Sequence, residues 1–278
     1  MTNRKPLFMP LAYLIAIIGS AMFLYPLLFT FQASLKDNAE IYNDKPLALP
    51  TQWLWSNYSE AFRVGKIGWA VLNSALYAAV GTGLALLLGV MAAFVLSRLR
   101  FRFREPLYLY FTTGLMIPVF SLLIPISRLI GTIDGFNNFF VMVVLYAVFE
   151  LPFTIFLVTG FMKGINRELD ESALIDGCSP ATLLFRILLP LAMPAVSTAG
   201  ILAFFSIYND LIWNVLLITK DNLFNISVAL MAFIGEHGTT RMGPMFAGIF
   251  MTILPTIVVY LLFQEKVESG LSAGAVKE

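Results

Sequence analysis

The sequence predicts an all-α protein that crosses a membrane with six helices. Of its 278 residues, 59% are hydrophobic and only 13% are charged, whereas soluble domains contain about 25% charged residues. Six apolar blocks are each long enough to cross roughly 30 Å of hydrocarbon. These blocks run approximately over Leu11–Phe31, Ala70–Leu96, Pro106–Ile130, Asn138–Phe161, Pro194–Leu217 and Met245–Phe263. We find no convincing internal repeat, so the inverted halves that many secondary transporters show are not indicated.

The distribution of Lys and Arg predicts that both termini are cytoplasmic. With the N-terminus inside, the inner segments hold eleven of the 18 basic residues, and Arg98–Arg104 contains four Arg within seven residues. Short cytoplasmic loops carry such an excess of positive charge, so this segment is most simply a topology anchor; the alternative is contact with anionic headgroups or a partner subunit. The expected division is a cytoplasmic N-terminus (1–10), a first transmembrane helix (11–31), an extracytoplasmic segment (32–69), a five-helix core (70–264) with a cytoplasmic loop at 163–193, and a cytoplasmic C-terminus (265–278).

A long stretch of mixed polar and apolar residues, Glu168–Pro194, separates two strongly hydrophobic blocks. Its apolar residues recur at helical spacing, and Gly177 divides the pattern into two short helices. Ser179 can cap the second helix with Pro180 at its first position, and Pro190 is expected to end it. The stretch is therefore predicted to fold as helix, glycine and helix outside the hydrocarbon region.

The same stretch resembles the EAA signature of ABC-transporter permease subunits. Glu171–Ala173 is followed by three residues, Gly177, nine residues and Ile187–Pro190, with Ser172 in place of the first Ala of the signature. The flanking residues look most like the carbohydrate importers of the maltose-permease (MalG-like) type. Landmarks such as Leu72–Ser74 extend the resemblance over nearly the whole chain. It implies the type-1 ABC importer permease fold, in which this loop docks in a cleft of the ATP-hydrolysing subunit.

The resemblance also implies the site residues and the partners. Coupling to the ATPase is expected from ten residues: Glu168, Asp170, Glu171, Ser172, Ala173, Asp176, Gly177, Ile187, Leu189 and Pro190. The implied partners are a second, MalF-like permease subunit, a dimer of ATPase subunits that binds ATP and Mg, an extracytoplasmic solute-binding protein and the lipid of the plasma (inner) membrane. The alternative for the loop is an interfacial helix on lipid, but such helices favour Lys and Arg, whereas this one begins with acidic residues.

Polar residues within the apolar blocks are candidates for a substrate pathway. Glu150 and Asp210 are predicted to lie at membrane depth, where ionisable groups face a cavity or a partner. Glu150 precedes Pro152, so we expect it beside a broken helix. A polar stripe at helical spacing is formed by Ser206, Asn209, Asp210, Trp213 and Asn214. Amide, carboxylate and indole groups suit the hydroxyls and C–H faces of a sugar. Alternatively, these residues form hydrogen bonds with the second permease subunit.

The motifs of several other classes are missing from the sequence. It has no G-x-x-x-x-G-K-[ST] phosphate loop, so no cofactor is expected in this chain. His237 is the only histidine and Cys178 the only cysteine, so neither a metal site nor a catalytic set is predicted. No basic cluster with interleaved aromatic residues favours nucleic acid. The rivals that remain are an ABC permease for a non-sugar solute, an ion-driven secondary transporter, and a membrane enzyme or receptor without a visible catalytic or signalling element.

Overall fold

The computed structural model describes residues 9–42, 48–235 and 240–275, and the side chains of these residues as far as residue 261. His237, the sole histidine, lies outside the described residues. The chain divides into two compact units, one formed by Met1–Gly68 with Ala229–Pro255 and the other by Trp69–Val228 with Thr256–Glu278.

The described chain is built almost entirely from helices. In chain order they are α1 (Met9–Ala33), α2 (Asn38–Ile41), α3 (Ser56–Val64), α4 (Ile67–Arg98), α5 (Arg104–Thr113), α6 (Val119–Thr132), α7 (Phe139–Gly164), α8 (Glu168–Ile175), α9 (Pro180–Tyr208), α10 (Ile212–Leu217), α11 (Ile226–Ala229) and α12 (Met242–Ala275). Five of these helices are long and apolar enough to span a membrane, and α5 with α6 forms a sixth span if the bent pair is counted as one.

The third predicted span is not one straight helix. The chain forms a helix over Arg104–Met116, breaks, and continues as Val119–Thr132, with a bend of 102° between the two parts. The break follows from Pro118, because its ring disfavours the helical conformation of the residue before it. Ile117 is accordingly extended, with φ −80° and ψ 119°. Pro125 lies inside α6 without breaking it.

The expected end of a helix at Pro190 is wrong, and the fifth span has different limits from those predicted. Helix α9 starts at Pro180, passes through Pro190 and ends at Tyr208 instead of Leu217. Residues Leu183–Leu188 form π-type turns directly before Pro190. A proline ring clashes with the carbonyl four residues earlier in a regular α-helix, and the wider turns accommodate that ring.

In the unit that contains α1 to α3, asparagine side chains bind backbone groups of other segments. The Asn57 amide donates to the carbonyls of Ser34 and Lys36 at 2.9 and 3.0 Å. Asn38 accepts from the backbone N–H of Met242 at 2.9 Å and so ties α2 to the start of α12. The segment predicted to lie outside the membrane therefore contains two short helices in a defined arrangement.

Among the glycines of α4, Gly89 makes the closest approach to α7. A Cβ atom added to Gly89 would lie 2.5 Å from the Thr154 methyl carbon, whereas one added to Gly83 meets nothing within 4 Å. Of these two glycines, only Gly89 lies where helix packing leaves no room for a side chain.

The two glycines provide a matched pair of variants. Gly89→Ala is expected to lower the free energy of unfolding by about 1–3 kcal/mol because the helices must separate or distort. Gly83→Ala should raise it by up to about 1 kcal/mol because alanine favours the helix. Thermal unfolding of the purified protein in detergent measures both. Equal shifts for the two variants would contradict close packing at Gly89.

Candidate coupling surface and translocation cavity

The EAA-like stretch folds as two helices joined by a glycine turn. Helix α8 ends at Ile175, and Gly177 follows with φ +77°. A Cβ at Gly177 would meet nothing within 4 Å, so the left-handed backbone, and not close approach, is what favours glycine there. The Ser179 hydroxyl accepts from the N–H of Thr182 at 3.2 Å, and Pro180 occupies the first turn of α9. The predicted capping is confirmed.

One side of this stretch is built into the helix bundle. Ala173 and Leu188 are buried, and Ile187 and Leu189 pack at the edge of the same cluster. The cluster also includes Val90, Ala93, Phe94, Val158, Met162, Leu183, Leu184, Ala192 and Val196. Apolar contacts of this kind fix the orientation of α8 and the start of α9 relative to α4 and α7.

The other side of α8 and its turn is exposed and acidic. Glu168, Glu171 and Asp176 are exposed, as are two large apolar side chains, Leu174 at 59% and Ile175 at 87%. We call these five residues the docking surface. Exposed apolar groups surrounded by charge are typical of protein interaction sites. The sequence analysis did not select Leu174 and Ile175, although they lie within three residues of Gly177.

The remaining residues expected to couple to the ATPase have other positions. Ser172 is exposed, but its hydroxyl donates to the backbone carbonyl of Glu168 at 2.7 Å within α8. Pro190 is exposed on α9. Asp170 points inwards and forms an ion pair with Arg98, with 3.0 Å between Oδ2 and Nε. Its side chain is only 14% exposed, so Asp170 lies outside the docking surface.

A cavity of about 230 Å³ opens between α6, α7, α9 and α10. Four of the six predicted pathway residues line it, namely Glu150, Ser206, Asp210 and Trp213. Its other walls are formed by Val119, Tyr146, Phe149, Ile207 and Ile212. The cavity thus combines two carboxyl groups and a hydroxyl with aromatic and aliphatic walls.

The predicted polar stripe on one continuous helix is wrong. Helix α9 ends at Tyr208 and α10 begins at Ile212. The cause is Asp210, whose carboxylate accepts from the backbone N–H groups of Trp213 at 3.3 Å and Asn214 at 3.0 Å. A side chain that accepts in this way caps the start of a new helix. Ser206 and Trp213 therefore reach the cavity from two different helices.

Asn209 and Asn214 do not line the cavity. Asn209 is exposed, and its amide donates to the Phe205 carbonyl at 3.0 Å. Asn214 is fully buried and accepts from the N–H of Asn225 at 3.0 Å. Both side chains thus hydrogen-bond with nearby backbone groups, and their place in the pathway stays a prediction.

The connection that follows α10 is anchored by the start of α4. Asn73 donates to the carbonyls of Asn222 and Phe224, both at 2.9 Å. The Ser74 hydroxyl accepts from the N–H of Ile226 at 2.9 Å. These bonds give Leu72–Ser74, a landmark of the family resemblance, a structural role that the sequence analysis did not assign.

Glu150 and Asp210 occupy different chemical environments in the cavity. Asp210 accepts from the Tyr146 hydroxyl at 2.8 Å in addition to capping α10. Glu150 lines the cavity together with Ser206, and its carboxylate accepts from no backbone N–H at the start of a described helix. Pro152 lies within the continuous helix α7, so the expected broken helix beside Glu150 is wrong. Of the two carboxyl groups in the cavity, Asp210 is therefore the one that holds the start of a helix.

The Trp213 indole forms part of the aromatic wall. Its ring centroid lies 4.9 Å from that of Phe149, and the residue is 4% exposed. Among the residues that the structure describes, no group of three or more His, Cys, Asp or Glu side chains could hold a metal ion. The lining of the cavity combines hydrogen-bonding groups with aromatic side chains.

The backbone has the fold of an ABC importer permease. It matches a chain of a bacterial ABC transporter involved in the import of the acidic polysaccharide alginate with a TM-score of 0.78, over 95% of this chain and 98% of that chain at 22% identity. A chain of a bacterial alginate ABC transporter in complex with an alginate pentasaccharide-bound periplasmic protein matches with a TM-score of 0.65, over 94% of each chain at 16% identity.

The family model described as binding-protein-dependent transport system inner membrane component matches residues 85–265. The chain belongs to this family and is a multi-pass protein of the inner membrane.

Curated relatives match over nearly the whole chain. The diacetylchitobiose uptake system permease protein NgcG of Streptomyces coelicolor is 29% identical over 97% of this chain and 89% of its own length. The trehalose transport system permease protein SugB of Mycobacterium tuberculosis is 30% identical over 94% of both. The sulfoquinovosyl glycerol transport system permease protein SmoH of Agrobacterium fabrum is 30% identical over 96% of this chain and 94% of its own length.

Proposed function

We propose that this chain is a permease subunit of an ABC importer and forms part of the route for a sugar or oligosaccharide. The observation that carries the sugar assignment is the cargo of the relatives, since three full-length matches are named for diacetylchitobiose, trehalose and sulfoquinovosyl glycerol. Each of these cargoes contains a sugar. The cavity supports the proposal because it offers the paired donors, acceptors and aromatic surface that a sugar needs.

The proposed complex contains a second permease subunit, two ATPase subunits and an extracytoplasmic solute-binding protein. ATP and Mg bind to the ATPase subunits and not to this chain. The docking surface lies on the cytoplasmic side together with both termini. Leu174 and Ile175 enter an apolar part of the ATPase cleft, and Glu168, Glu171 and Asp176 meet basic groups at its rim. Closure of the ATPase subunits on ATP moves α8 and α9 and opens the route outwards.

Co-purification in mild detergent tests the whole assignment. The chain is expressed with its candidate partners, and ATP hydrolysis is measured with trehalose or diacetylchitobiose and a loaded binding protein. We expect a complex that contains an ATPase and responds to sugar, with an amino acid as the negative control. A complex stimulated only by the amino acid would contradict the sugar assignment. A chain that purifies without any ATPase would contradict the importer.

Glu150→Gln tests the cavity as part of the route. We expect uptake of the sugar to fall about tenfold, as expected when a hydrogen bond that involves a charged group is lost. Assembly of the complex should not change, because Glu150 lies far from the docking surface in the chain and caps no helix. Uptake into proteoliposomes measures the effect, with Glu105→Gln, an exposed carboxyl outside the cavity, as the control. Unchanged uptake would instead favour the alternative that these groups face the second permease subunit.

A further inference from the structure

Arg98 differs from the other arginines in the basic segment after α4. It is the last residue of α4, and its side chain is only 4% exposed, whereas Arg100 and Arg102 are exposed. The topology role predicted for the segment suits those two, since an anchor for lipid headgroups must reach the membrane surface. Arg98 is turned into the protein and needs a different explanation.

The Arg98 guanidinium connects three parts of the chain. Its Nε lies 3.0 Å from Oδ2 of Asp170 on α8. Its Nη2 donates to the carbonyl of Ile165, in the connection between α7 and α8, at 3.1 Å. Arg98 thus joins the end of α4 to α8 and to the connection that leads into α8. A planar guanidinium can make both contacts at once, which a lysine ammonium group cannot do with the same geometry.

The surroundings of this ion pair are apolar on both sides. Phe94 lies one turn before Arg98, Ala173 lies about one turn after Asp170, and both belong to the buried cluster together with Met162. Among the described residues, Nε and Nη1 of Arg98 and Oδ1 of Asp170 have no hydrogen-bond partner, so the contact between Nε and Oδ2 is an ion pair without the alignment of a hydrogen bond. Loss of one partner would leave a buried, uncompensated charge.

The acidic residues of α8 therefore separate into two groups. Glu168 and Glu171 are exposed on the docking surface, while Asp170 between them holds α8 to the bundle. We propose that Arg98 and Asp170 are positioning residues that tie α8 to the end of α4, so that a displacement of α8 by the ATPase is passed to α4. This proposal rests on the proposed importer function. It predicts that loss of the pair separates ATP hydrolysis from transport without releasing the ATPase.

The test compares sugar uptake with ATP hydrolysis in the reconstituted complex. Asp170→Asn is nearly the same size and removes the charge. We expect the variant to bind the same amount of ATPase and to hydrolyse ATP within about twofold of wild type. The ratio of sugar imported to ATP hydrolysed should fall about tenfold, which lies within the range of about 5- to 150-fold for allosteric coupling. The exchange Arg98→Asp with Asp170→Arg should recover most of this ratio. Arg100→Gln, in the same segment, is the control and should not change it.

Several outcomes would overturn the proposal. An unchanged ratio in Asp170→Asn would show that the pair passes on no displacement. Loss of the ATPase subunit from that variant would make Asp170 a docking residue.

If Asp170→Asn is not recovered from the membrane, the variant with both residues exchanged tests the proposal instead. A recovered protein that couples hydrolysis to transport supports the pair, and a recovered protein that does not couple them contradicts it. If neither is recovered, Arg98→Lys decides, because it keeps the charge but loses the double contact. Wild-type coupling in Arg98→Lys would contradict the proposal.

Failure of the importer function itself would look different. In that case the wild-type complex would show no sugar-stimulated hydrolysis, and no variant would be informative about Arg98. If the wild type responds to sugar, every result above concerns the ion pair alone.

Discussion

Glu171→Lys is expected to release the ATPase subunit from the complex. Glu171 is exposed on α8 within the docking surface. Reversal of its charge would bring the new ammonium group against the basic group of the ATPase that is proposed to bind Glu171. Like charges placed opposite each other across an interface cost several kcal/mol, and a cost of about 2 kcal/mol already corresponds to an affinity loss of about 30-fold. The ratio of ATPase to permease after purification, together with sugar-stimulated hydrolysis, measures the effect.

An equal charge reversal elsewhere is the control for Glu171. Asp134→Lys changes an exposed acid in the turn after α6, which contributes nothing to the docking surface. The purified complex should keep its ATPase in this variant. If Glu171→Lys retains the ATPase as well as Asp134→Lys does, the assignment of the docking surface is wrong.

Asp210→Ala is expected to lower the free energy of unfolding by about 3 kcal/mol. The substitution removes the acceptor of the N–H groups of Trp213 and Asn214 and of the Tyr146 hydroxyl. A helix cap contributes about 1 kcal/mol, and each buried donor left without a partner costs about 1–3 kcal/mol. Thermal unfolding in detergent, followed by circular dichroism, measures the loss.

The second carboxyl group of the same cavity serves as the matched control for Asp210. Glu150 caps no helix, so Glu150→Gln should change the free energy of unfolding by less than about 1 kcal/mol while it lowers sugar uptake. If instead Glu150→Gln lowers the unfolding temperature as much as Asp210→Ala does, the two carboxyl groups do not have the separate roles that the hydrogen bonds indicate.

Much of the fold could be predicted from the sequence because the membrane restricts the options. Backbone groups in hydrocarbon must be satisfied internally, so long apolar blocks form helices. The glycine turn and the helix cap were also predicted correctly, because the residues that form them are neighbours in the chain. Gly177 adopts positive φ, and Ser179 caps the helix that Pro180 begins.

The effect of each proline could not be predicted from the sequence. Pro118 breaks the chain into two helices, whereas Pro125, Pro152 and Pro190 lie within helices. A proline always lacks an N–H donor, but neighbouring turns decide whether the helix can continue. At Pro190 the π-type turns allow it, and no sequence pattern that we recognise indicates such turns.

The sequence predicted most of the residues of the candidate site but not how they are placed relative to one another. Helical spacing grouped Asp210 with Asn209 and Asn214, but it could not show that the Asp210 carboxylate would bind backbone groups and end the helix. Asp170 was grouped with Glu171 because both are acidic and close in sequence. Its partner Arg98 is distant in the chain, so only the tertiary structure separates the two roles.

The continuity of α9 has a mechanical consequence. The helix runs without a gap from the turn at Gly177 to the edge of the cavity, over 29 residues, and is therefore about 43 Å long. It can act as a lever, because tilting a rod of that length by about 10° moves its far end by about 7 Å. A small rotation imposed at Pro180 would then be magnified at Ser206, where a shift of that size could open or close the space beside Glu150.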